Sequence, residues 1–141
     1  MAISFCTTEN IKQRETHWAD YFPEKINDEQ KTIELQKLIE QKSQWLVEYF
    51  NCRYNITEFN VETNFNAWLN EAVIILVIFT MQMKKSKLTD EMIDEMKELS
   101  DEMLMIIQRK KQMPNASKYL IISDDRFSTE NPVDVDEGDY I

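Results

Sequence analysis

The chain contains a single glycine, Gly138, among 141 residues. Phosphate-binding loops, dinucleotide fingerprints and nucleophile elbows all need glycines at fixed offsets, so none can be written here. The same scarcity argues against an all-β fold, whose tight turns use glycine freely. Histidine also occurs once, as His17 beside Trp18. A hydrolytic triad would need a nucleophile and an orienting acid near it, and nothing in the sequence selects either. His17 therefore reads as a surface or half-buried structural residue. Cysteine is limited to Cys6 and Cys52, without metal-like spacing. The opening MAISFCTTENIK has neither the basic nor the apolar region of a secretion signal, so free thiols in a reducing compartment are expected. The sequon-like triplets at Asn55 and Asn115 then carry no meaning. Basic residues are the last shortage: 16 against 26 acids, a net charge of −10. Neutralising a phosphate backbone is a poor match to that balance.

Against this charged background, AVIILVIFTM (72–81) runs ten residues without a charge. A membrane span needs about 20 predominantly apolar residues, and Asn70, Glu71, Gln82, Lys84 and Lys85 cut the run short. Its many β-branched residues favour a strand, but Phe65, Trp68, Leu69, Ala72, Val73, Leu76, Phe79 and Met83 recur at helical spacing. The pattern predicts a helix over 64–85, apolar all round in its middle and in need of cover on every side.

Three further helices are expected. The first spans 8–22, capped by Thr7 or Thr8 and stopped by Pro23, with Ile11, Trp18 and Phe22 on one face. The second runs from Asp28 or Glu29 to Tyr54 with Leu35, Leu38, Ile39, Leu46, Tyr49 and Phe50 as its stripe. The fourth spans 90–112. Thr89 caps it, Asp90 and Glu91 sit in its first turn and Arg109 to Lys111 in its last, while Met92, Met96, Leu99, Met103 and Ile106 or Ile107 face inward. YLIIS (119–123) could form a short strand. Residues 124–141 hold seven acids and one arginine, a net of −6 that leaves only −4 for the rest. With no periodicity and only isolated apolar residues, that stretch is expected to be disordered alone in solution.

The chain thus reads as all-α, a small four-helix bundle-like domain over 1–117 with an extended acidic C-terminal tail over 118–141. One domain of this length buries about two-thirds of its unfolded surface. No enzyme, cofactor or metal site is expected. The acids Glu91, Asp94, Glu95, Glu98, Asp101 and Glu102 lack the Glu-x-x-His partner of di-metal bundles and read as a solvated face. In DVDEGDY, Gly138 is fifth from Asp134, where a calcium loop places glycine sixth. The eight methionines read as core filler.

The order of features carries a resemblance. A long helix ends in WLVEYFNCRYN with the pair Arg53-Tyr54; a loop, an apolar helix over Ala72 to Met83 and a last helix over Glu91 to Lys111 follow; an Arg126-Phe127 pair stands in the tail. Over residues 30–128 this is similar to the Mu-type head-completion or adaptor family, the small helical head–tail connector proteins of tailed bacteriophages. Two departures stand out. The family's glycine after the last helix is replaced by Met113-Pro114-Asn115, and the tail is longer and more acidic.

The resemblance implies a virion protein of the neck. It would form a homo-oligomeric ring, commonly of twelve subunits, beneath the portal protein and in contact with tail or neck proteins. DNA would pass through its channel without specific binding, no membrane would be involved, and assembly would occur in the host cytoplasm. Its implied interface residues are Arg53, Tyr54, Arg126 and Phe127. Tyr140 and Ile141 join them as isolated apolar anchors in the tail. Three physical arguments point the same way: neighbouring subunits could cover the apolar helix, negative charge keeps DNA from sticking, and an acidic tail can wrap a partner. Two other classes fit the composition, an acidic inhibitor or DNA mimic, and a small regulatory helical bundle that binds a protein partner.

Overall fold

Local capping chemistry fixes where each helix begins. The structure, a computed structural model, describes residues 2–121, of which 61% are helical. The helices are α1 (Thr8–Arg14), α2 (Asp28–Phe50), α3 (Ala67–Lys84) and α4 (Asp90–Ile107), with 3-10 turns at Trp18–Tyr21 and Ser117–Tyr119. Among the described residues there is no strand. Thr7 and Asn10 form a reciprocal capping box on α1, and Asn27, Asn66 and Thr89 each accept a backbone N–H in the first turn of α2, α3 and α4.

The ends are less conventional. α3 and α4 both close with a Schellman motif. Lys87 N donates to Gln82 O and Ser86 N to Met83 O; Lys110 N donates to Met105 O and Arg109 N to Ile106 O. The left-handed position of such a motif favours glycine, and this chain fills it with Ser86 (φ 54°) and Arg109 (φ 66°). The fourth helix therefore stops at Ile107, short of the expected 112.

The first helix is also shorter than expected. It ends at Arg14, and the 3-10 turn follows separately. Residues Thr16 to Phe22 are mostly β-branched, aromatic or short polar side chains of low helix propensity. Glu15 at the break accepts hydrogen bonds from the Tyr21 hydroxyl and from buried Gln82 of α3.

α3 is the centre of the molecule. Its length and mean hydropathy of 1.3 would suffice to cross a membrane, yet every residue from Ala72 to Ile78 is buried within this chain. α1, α2, α4 and the first 3-10 turn pack around it. Leu35, Ile39, Leu46 and Phe50 come from α2, and Met92, Leu99, Met103 and Ile106 from α4. Phe5, Cys6, Ile56, Phe59, Met113 and Ala116 complete the core from outside the helices. The expectation that α3 needs neighbouring subunits for cover is thereby corrected: loops and the N-terminal segment close what four helical stripes leave open. Of the large apolar residues of α3, only Met83, at its last turn, is strongly exposed.

Candidate functional site

The pair Arg53-Tyr54 lies just past α2, which ends at Phe50 and not at Tyr54 as expected. The chain leaves the helix through a turn in which Arg53 N and Tyr54 N both donate to Phe50 O. That turn sends the two side chains in different directions. Tyr54 is 2% exposed, and its hydroxyl accepts a hydrogen bond from Met113 N at 3.2 Å. Arg53 reaches to the far end of α4, where its Nη1 donates to Ile106 O and, at 2.9 Å, to Lys111 O. The guanidinium thus meets carbonyls at and just beyond a helix's negative end, sharing Ile106 O with Arg109 N, although that helix is α4 and not its own. Among the described residues no carboxylate pairs with Arg53. Burial pulls its pKa below the ordinary value, and nearby Arg109 pulls in the same direction. An arginine still keeps its charge.

A second group holds the same corner. Glu102 of α4 accepts from Trp68 Nε1 of α3 at 3.0 Å and pairs with Lys111. Burial raises the Glu102 pKa, but the hydrogen bonds from Lys111 and Trp68, with the lysine's charge, outweigh it and leave the carboxyl below its usual range. Lys111 is therefore tied by its ammonium to Glu102 and by its carbonyl to Arg53.

Onto this corner the chain brings residues 113–121. Asn66 Nδ2 donates to Pro114 O at 2.9 Å, and Asn64 Nδ2 to the Tyr119 hydroxyl at 2.9 Å. The Tyr119 ring meets Phe59 edge-on at 4.7 Å between centroids. Asn55 N donates to Tyr119 O and Ile121 N to Arg53 O, both at 2.8 Å, around an isolated antiparallel bridge between Tyr54 and Leu120. Of the expected strand at 119–123, the described residues show one bridge at Leu120, preceded by a 3-10 turn, and residues 122–123 lie outside the described residues. Arg53 and Tyr54 sit beside Leu120 and Ile121, the last of the described residues. The other expected interface residues, Arg126, Phe127, Tyr140 and Ile141, lie outside the described residues. Asn55, Asn64, Asn66 and Tyr119 complete the corner; isolated polar loop residues gave no periodic signal by which to find them.

The remaining candidates are dispersed. His17 has an 80% exposed side chain, 3.9 Å from Asp20. Both cysteines are free, with Cys52 exposed and the Cys6 thiol pushed up to about 12 by burial. Such a thiol is unreactive at neutral pH. Among the described residues no three His, Cys, Asp or Glu side chains come together in a way that could hold a metal ion. Three acids of α4, Glu95, Glu98 and Glu102, line a groove against α3, where Glu71 is claimed by a bidentate pair with Arg14 at 2.8 and 2.9 Å. No family model, no curated protein and no solved structure matches this chain.

Proposed function

We propose that the protein is a structural assembly subunit, a head–tail connector of a tailed bacteriophage that joins a ring below the portal and extends the DNA channel. The observation that carries this reading is the corner just described. In sequence an acidic segment with isolated aromatic residues follows Ile121, and residues 119–121 are held on the helical body beside Arg53 and Tyr54 by two backbone hydrogen bonds. A docking arm needs such a fixed root, because ordering the arm on its partner costs less when its start is already placed. The net charge of −10 suits a passage for DNA that must not bind.

The subunit's core is complete without neighbours, so ring contacts fall to exposed apolar residues such as Trp45, Leu104 and Met105. The test is to mix the full chain with purified portal rings and examine the particles by sedimentation and negative-stain imaging. Co-migration with added density on one face of the portal is expected. A chain that stays at its own mass beside unchanged portals overturns the proposal.

A further inference from the structure

A cleft of about 630 Å³ opens between the Tyr21–Ile26 segment, α2 and the C-terminal half of α3, on the part of α2 remote from the Arg53 corner. Its apolar lining comes from Phe22, Pro23, Ile26, Leu38 and Met81. Its polar rim holds Lys37 and Lys84, one acid, Glu34, and the amides of Gln30 and Gln41. Glu34 is already engaged, pairing with Lys37 at 3.2 Å. Lys42 lies close enough to Lys84 to feel its charge: burial lowers its pKa first, and repulsion from Lys84 lowers it further. Among the described residues neither Lys42 nor Lys84 forms an ion pair. Lys84 on the rim, with Lys42 beside the lining, therefore places positive charge without an ion-pair partner among the described residues at this cleft, in a chain with 26 acids.

We infer that this cleft binds the acidic segment 124–141 of its own chain. The chemistry is complementary. The segment offers seven carboxylates and single apolar residues, Phe127, Val133, Val135 and Tyr140 among them, for an apolar floor with a lysine rim. The side-chain amides on the rim can serve the backbone of an extended segment. Reach is sufficient. The α2 residues of the cleft, Gln30 to Gln41, lie 12 to 23 positions before Arg53, about 18–35 Å along a helix. Extended chain from Ile121 covers about 20 Å by Phe127 and about 40 Å by Val133. A tether of this length keeps the segment at an effective concentration of order millimolar, which favours the cleft of the same chain over that of a second copy. The inference does not depend on the connector reading. If both hold, the cleft shelters the arm until a partner takes it.

The test couples carboxylates to lysines with a zero-length carbodiimide reagent in the full chain, using an equal mixture of isotopically heavy and light protein. Amide links between Lys37, Lys42 or Lys84 and the acids of 124–139 are expected, in pairs of one isotope. Lys84→Glu should leave melting unchanged and lower coupling at Lys37 and Lys42 at least threefold. Links confined to other lysines, or none, overturn the inference. Mixed-isotope pairs overturn it too, by assigning the segment to the cleft of a second copy. None of these outcomes depends on whether the protein binds a portal.

Discussion

Replacing Tyr54 by phenylalanine removes one oxygen and strands the N–H of Met113, itself buried, without its partner. Loss of that acceptor should destabilise the protein by about 1–3 kcal/mol, and Tyr54→Ala, which also empties the ring's site, by about 3–5 kcal/mol. Denaturant unfolding measures both, and an unchanged midpoint for Tyr54→Phe would show the hydroxyl to be dispensable. Arg109 makes the opposite case. It holds a left-handed conformation that disfavours side chains, and its charge opposes that of Arg53. Arg109→Gly should relieve both and stabilise by about 0.5–1 kcal/mol, after allowing for the greater freedom of glycine in the unfolded chain. A lower melting temperature for this variant would mean that the arginine makes contacts that outweigh its backbone strain.

Between elements, Glu102 links α3, α4 and the segment that follows them. Its folded-state pKa is depressed, so the stability it contributes is present above its unfolded value of about 4.3 and is lost as pH falls through the lower folded value. Glu71, paired with Arg14 between α3 and α1, acts in the same direction, but a half-exposed pair contributes less. Glu102→Gln should therefore lower the melting temperature at pH 6, with the gap from the unaltered protein closing as pH drops towards 3. A gap independent of pH would locate the effect in packing and not in charge. The same scale shows what the sequence could tell. Four helices were legible, and so were the buried stripes of α2, α3 and α4, because those stripes repeat at helical spacing and Thr7 and Thr89 are good caps. The first helix's expected stripe failed, since Trp18 and Phe22 lie beyond its end at Arg14. The end of α3 was legible to within one residue, but that of α4 was not, because Arg109 stands where glycine would have signalled a stop. Arg53 and Tyr54 were legible as a pair, but the carbonyls Arg53 meets lie more than fifty residues away, beyond any local pattern. The cover of α3 was misjudged for a related reason. Phe5, Ile56, Phe59 and Met113 are core residues in irregular segments and belong to no period.

For the whole molecule, a core closed within one chain implies that the protein folds without neighbours. Alone at micromolar concentration it should sediment as a 16.9 kDa monomer, since its exposed apolar residues include none of the central run of α3. A stable oligomer in the absence of any partner would show that the surface, not the core, drives association. On the proposed connector reading, residues 2–121 form the folded body and the acidic segment beyond Ile121 docks it on a partner. The most direct measurement is co-sedimentation with phage particles lacking their connector, comparing the full chain with one truncated after Ile121. The truncated chain should melt within a few degrees of the full chain and fail to sediment with the particles, whereas the full chain sediments with them. Equal binding by the two chains would contradict the account.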